Sequence, residues 1–124
     1  MQLQETILRQ IDITFEWVYP LLFIYTFINI YDLSYFIEFI TLLLAVYSIK
    51  YTIQRERPNQ KDNLSFPSGH TALVWFIVWK LPNPITITYA LLVSYSRVYY
   101  LHHWWSDVFA GFILSYWINF LFQR

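Results

Sequence analysis

Read from its beginning, the chain mixes apolar and polar positions with a helical period. Leu3, Ile7, Ile11 and Phe15 recur every four positions, and Gln4, Glu5, Arg9 and Asp12 fill the gaps. That spacing lines one face of a helix with apolar side chains. Residues 1–16 therefore read either as an interfacial helix lying on a bilayer or as a polar extension that begins a first span. From Trp17 the alternation gives way to five apolar segments, at about 17–31, 35–51, 70–81, 85–101 and 106–122. Turn residues separate them: Asp32-Leu33-Ser34, a polar loop at 54–67, and Pro82-Asn83-Pro84, which cannot continue a helix. In hydrocarbon only helices or closed barrels satisfy the backbone, and these segments lack the alternation of barrel strands. The predicted fold class is all-α, an integral membrane helical bundle of about five transmembrane helices, forming one domain over residues 1–124.

The third segment fits this scheme least well, being far shorter than the roughly 20 residues that a full span needs. It is expected to begin at headgroup depth instead of at the membrane surface. Loop cations do not orient the bundle, because Lys80 and Arg124 on one face are balanced by Arg9, Arg55 and Lys61 on the other.

Composition strengthens the membrane reading, since 57% of the residues are hydrophobic and only 13% charged. A soluble domain of this length could not hide so much apolar surface. The first sixteen residues lack the basic-then-apolar pattern of a cleaved signal. A net charge of zero with scattered basic residues argues against a nucleic-acid partner. The absence of cysteine excludes disulfides, thiolate metal sites and cysteine nucleophiles together.

Against this background the remaining charges stand out. Between Leu81 and Gln123 the formally charged residues are Arg97 and Asp107 alone. Each costs roughly 2.5 to 3.5 kcal/mol at mid-bilayer, so such residues are usually kept for a task. One alternative is a mutual ion pair tying the fourth and fifth segments. The other is chemistry. His103 lies four residues before Asp107, and if the helix reaches back to Trp104 the carboxylate can accept the Nδ1 proton, leaving Nε2 as a lone-pair nucleophile or base. His102 would point to another face, as an interfacial hydrogen-bonding residue. Pro67-Ser68-Gly69-His70 reads as a helix start, with Ser68 as cap, Gly69 permitting close backbone approach, and His70 placed to give a proton to a leaving oxygen. Lys50 and Arg57 would join Arg97 in a three-cation cradle for phosphoryl oxygens. Arg55 and Lys61 read as solvated loop charges.

At these residues the chain resembles the type 2 phosphatidic acid phosphatase family, whose motifs read Lys-six residues-Arg-Pro, Pro-Ser-Gly-His, and Ser-Arg-five residues-His-three residues-Asp. Lys50 with Arg57-Pro58, residues 67–70, and Ser96-Arg97 with His103 and Asp107 match them in order and spacing. The resemblance, over about residues 50–111, implies a phosphate site of Lys50, Arg57, Ser68, Gly69, His70 and Arg97. It implies that His103 attacks phosphorus, oriented by Asp107, and that His70 protonates the leaving group and then helps water to hydrolyse the phosphohistidine. It further implies a membrane lipid phosphatase acting without metal or cofactor on a lipid phosphate or isoprenoid diphosphate, with the site at the outer, periplasmic or lumenal face. Five spans are one fewer than the family usually has, which leaves room for a homodimer or for the N-terminal stripe to replace a helix. Two other functions stay open at this stage: a vanadate-dependent haloperoxidase, which looks similar around the oxyanion, and a lipid-phosphate binding or scaffolding protein without turnover.

Overall fold

The computed structural model describes residues 2–30 and 32–123, so Tyr31, the expected end of the first segment, and Arg124 lie outside the described residues. Five helices follow one another: α1 (Gln2–Ile30), α2 (Leu33–Ile53), α3 (Gly69–Lys80), α4 (Pro84–Tyr99) and α5 (Trp105–Phe122). Their boundaries come from local chemistry. Asp32 caps α2 by accepting from the Ser34 amide at 3.1 Å, and Gln54 ends that helix in the left-handed region with φ 55°. Ser68 caps α3, its Oγ accepting from the Thr71 amide. At α4 the Asn83 carboxamide accepts from the Ile85 and Thr86 amides, Thr86 Oγ1 accepts from the Asn83 amide in return, and Pro84 occupies the first turn, where its missing N–H is no loss.

The N-terminal stripe is continuous with the first span, since α1 runs unbroken through Trp17 and past Pro20. The face it turns into the bundle overlaps the four-residue stripe only in part. Leu3 and Ile7 are exposed, whereas Leu8, Phe15 and Tyr19 are buried and Ile11 packs beside them. The helix thus turns a face about one residue round from the four-residue repeat, because a straight helix has 3.6 and not 4 residues per turn.

The short third segment is explained by its position. α3 packs against all four other helices, and Ala72, Val74, Phe76, Ile77 and Val78 are buried in the core with Tyr35, Leu42, Val46, Ala90 and Val93. At about 18 Å it does not need to cross a bilayer, because the polar loop before it folds in to meet it. Helices α1, α2 and α5 are long and apolar enough to cross a membrane by length and composition. The outer surface is that of a lipid-facing protein: Trp17, Leu21, Ile28, Leu44, Ile85 and Leu121 are all exposed. Lys80, expected as a loop cation, instead pairs with buried Glu38 and binds α3 to α2 at the end of α3 away from Ser68.

Gly111 sets how closely α5 approaches α3. A Cβ there would lie 2.5 Å from the Ser68 carbonyl oxygen and 3.1 Å from the Ala72 nitrogen, so only glycine permits the contact. The same contact carries the Ser68 amide to the Asp107 carbonyl, at 3.0 Å.

Candidate active site

The three motif clusters meet at the N-terminal end of α3. Lys50, in the last turn of α2, donates to the carbonyls of Leu64 at 2.6 Å and Pro67 at 2.8 Å, so the polar loop is wrapped around its ammonium. Its Cε lies 3.8 Å from where a side chain on Gly69 would begin. Arg57 is fixed by Asp62, whose carboxylate accepts from Nε at 2.7 Å and from the Leu64 amide at 2.8 Å. This leaves Nη1 to donate to the His102 carbonyl at 3.1 Å and to His103 Nε2 at 3.2 Å.

The loop between α4 and α5 aims the two adjacent histidines apart. Leu101 adopts φ 62°, and the amides of His102 and His103 both turn back to the Arg97 carbonyl, at 2.9 and 3.1 Å. His103 then enters the interior, 2% exposed, while His102 reaches α1, where its Nε2 meets Asp12 at 3.2 Å. His102 is thus a structural hydrogen-bonding residue, as its position relative to Asp107 suggested.

The partners of His103 define its tautomer. Nδ1 lies 2.7 Å from the Ser65 carbonyl, which can only accept, and Nε2 lies beside Arg57, which can only donate. The proton therefore sits on Nδ1 and the lone pair on Nε2. Burial holds this imidazole down, to about 4, and although Asp107 pulls the other way, the charges of Arg97, Arg57 and Lys50 reinforce the shift. It is a neutral base at physiological pH.

This corrects the expected Asp107 contact. α5 starts at Trp105, so His103 stands outside the helix, and the nearest Asp107 oxygen is 3.7 Å from Nδ1. The carboxylate is used as a hub instead. Oδ2 accepts from Ser65 Oγ and from the Trp104 amide at 2.8 Å, while Oδ1 takes Arg55 at 3.0 Å. Arg55 is accordingly no free loop charge; it also bonds Ser106 and lies over the Trp104 ring. Lys61 is exposed, as expected. The alternative pairing of Arg97 with Asp107 does not occur, because Arg97 turns to Asp12 of α1 at 3.0 Å.

His70 follows Gly69 in the first turn of α3, its ring tilted against Phe15 at 4.2 Å between ring centres and within electrostatic reach of Arg97, His103, Asp12 and His102. The Gly69 and His70 amides belong to the turn that has no intrahelical acceptors, a natural place for an anion. The structure thus gathers Lys50, Arg57, Ser68, Gly69, His70, Arg97, His103 and Asp107 around one end of α3. Sequence reasoning missed Asp12, Ser65 and the role of Arg55. Asp12 had a usable signal: it sits between Leu8 and Phe15 at the spacing of the buried face.

An apolar cleft of about 470 Å³ lies between α3, α4 and α5, lined among others by Trp75, Leu91, Tyr95, Trp105, Phe109 and Phe112.

The sequence model of the PAP2 superfamily matches residues 31–124, and the chain belongs to that family. It is 45% identical over 64 aligned residues to an undecaprenyl-diphosphatase of Sulfolobus acidocaldarius, covering 46% of this chain and 31% of that protein. It is 31% identical over 93 aligned residues to dolichyldiphosphatase 1 of Mus musculus, covering 51% of this chain and 39% of that protein. The chain therefore spans about a third of the length of the curated relatives it matches. No solved structure matches it.

Proposed function

We propose that this chain is a multi-pass membrane lipid phosphatase that removes the terminal phosphate of a polyprenyl diphosphate through a phosphohistidine at His103. The observation that carries this is the state of His103: a buried neutral imidazole with its lone pair on Nε2, directly beside the Arg57 guanidinium. Both relatives bear the names of polyprenyl diphosphatases, which favours that substrate class over a simple lipid phosphate.

The residues divide the chemistry between them. Lys50, Arg57 and Arg97, with the first amides of α3, hold the oxygens of the transferring phosphoryl group and take up its developing charge. His103 Nε2 attacks phosphorus; the N–P bond forms as the P–O bond to the lipid monophosphate breaks. His70 gives a proton to the departing oxygen; burial and the nearby Arg97 hold its imidazole down, to about 3, so it takes up that proton only with the negative charge of the bound diphosphate beside it. The now neutral His70 takes a proton from water, whose oxygen attacks phosphorus and breaks the N–P bond, releasing inorganic phosphate and free His103. The Ser65 carbonyl holds the Nδ1 proton, and Asp107, 3.7 Å away, stabilises the cation that forms on attack. The isoprenoid chain lies in the apolar cleft beside α5, with the diphosphate at headgroup depth on the outer, periplasmic or lumenal side.

The test is phosphate release by the purified chain in detergent, from a panel of polyprenyl diphosphates and lipid monophosphates. His103→Ala should be inactive on every ester, because no attacking atom remains. His70→Ala should be nearly inactive on an alkyl phosphate and regain turnover on p-nitrophenyl phosphate, whose leaving oxygen needs no proton. The reverse pattern would exchange the two roles.

A further inference from the structure

The PAP2 superfamily match begins at residue 31, so α1 stands outside it, yet α1 reaches into the candidate site. Its Asp12 carboxylate takes Arg97 Nη1 on one oxygen at 3.0 Å and His102 Nε2 on the other at 3.2 Å. Neither partner of the first pair is well solvated, the side chains of Arg97 and Asp12 being 11% and 18% exposed. α1 is itself fastened about two turns to either side of Asp12. Before it, the Glu5 carbonyl accepts from Tyr100 Oη at 3.2 Å; after it, Tyr19 Oη donates to the Leu73 carbonyl at 3.0 Å. Asp12 is therefore held in place by α3 and by the connection between α4 and α5 and is not a passing surface contact.

A second observation concerns the other edge of the same guanidinium. Among the described residues, the buried Nε of Arg97 has no hydrogen-bond partner. A guanidinium is a rigid planar fork, so fixing Nη1 fixes where Nε–H lies. A buried donor left unpaired is destabilising unless something arrives to accept from it.

We infer that Asp12 is a positioning residue for phosphoryl transfer: it pins the Nη1 edge of Arg97 so that the unpartnered Nε–H is kept ready for an oxygen of the phosphoryl group. This rests on the reading of Arg97 as a phosphate ligand. Asp12 touches no reacting atom and acts on the phosphoryl group through Arg97. It also offsets one of the three positive charges gathered there.

The experiment compares wild type, Asp12→Asn, Asp12→Ala, Arg97→Lys and Asp12→Ala/Arg97→Lys, measuring kcat/KM for farnesyl diphosphate and the inhibition constant of orthovanadate, with thermal unfolding as a check on folding. Asp12→Ala should lower kcat/KM and weaken vanadate by about tenfold each, the size of a typical coupling between contacting residues. Asp12→Asn, which keeps one oxygen acceptor and the shape, should lose less. In the Arg97→Lys background the Asp12→Ala penalty should shrink to about twofold or less, since a lysine has no fork to orient. An equal penalty in both backgrounds would mean that Asp12 serves helix packing, and tighter vanadate binding by Asp12→Asn would mean that it occupies the anion's place; either overturns the inference. Wild-type protein that neither hydrolyses the diphosphate nor binds vanadate would instead sink the phosphatase reading, and this inference with it.

Discussion

An imidazole can attack phosphorus only when it is neutral and carries a lone pair on the attacking nitrogen, and His103 owes both conditions to its neighbours. Burial disfavours the cation, and the Ser65 carbonyl draws the remaining proton to Nδ1. The sign of the effect is clear. The folded state keeps the proton off His103 down to about 4, whereas the unfolded chain takes it up near the ordinary value of 6.5. Acid therefore destabilises the fold at this site as pH falls below 6.5, while the imidazole stays neutral down to about 4. In spectra of ¹⁵N-histidine-labelled protein, one ring should remain a neutral Nδ1–H tautomer to about pH 4 and should be the ring lost in His103→Ala. Titration of that ring near 6.5 would remove the basis for a pre-formed nucleophile.

At the scale of elements, the site is held by the approach of α5 to α3, and Gly111 is where that approach is closest. Gly111→Ala would drive a methyl group into the Ser68 carbonyl, at 2.5 Å, and against the backbone of Ala72. Overpacking of this kind costs about 1 to 3 kcal/mol, and here it would also part Ser68 from Asp107. At Gly69 the same methyl would meet Val46 Cγ1 at 3.7 Å and Lys50 Cε at 3.8 Å, which is ordinary contact. Thermal unfolding should therefore fall clearly for Gly111→Ala and stay close to wild type for Gly69→Ala. Equal shifts would mean that α5 does not pack on α3 in this way.

Elements and motifs differ in how far the sequence exposes them. The start of α3 at Ser68 and the break at Pro82-Asn83-Pro84 are written in local chemistry, and the structure follows both. The residue types proposed to hold a phosphoryl group are equally plain, because their spacing is short and their charges are isolated among apolar segments. The connections between them were not. Asp12 and Arg97 are 85 residues apart, and Arg55 and Asp107 are 52 apart, so no local period can pair them. The true acceptor of the His103 proton is a backbone carbonyl, which every residue carries and no sequence pattern marks. The inward face of α1 is not marked by the four-residue stripe for a related reason: Leu8 and Asp12 face the bundle only once α4 and the loop between α4 and α5 are in place to receive them.

The whole molecule gathers its polar chemistry at one end of an apolar bundle. The Glu38–Lys80 pair binds the opposite end of α3, and the exterior between is hydrophobic. Among the described residues, no group of three or more His, Asp or Glu side chains is placed to hold a metal ion. The fixed cations Lys50, Arg57 and Arg97 are the charges available to the transferring group. Phosphate release should accordingly survive EDTA and be inhibited by orthovanadate, which can take the pentacoordinate geometry of the reaction. Activity lost in EDTA and restored by Mg²⁺ would contradict this account of the charge.

The central claim is that phosphorus passes through His103. Purified protein mixed with farnesyl diphosphate labelled at the terminal phosphate, and quenched in alkali within milliseconds to seconds, should carry label on nitrogen of the peptide that contains His103. The label should disappear as inorganic phosphate is released, last longer in His70→Ala, and be absent in His103→Ala. Phosphate released by His103→Ala, or label found on any other residue, would contradict it.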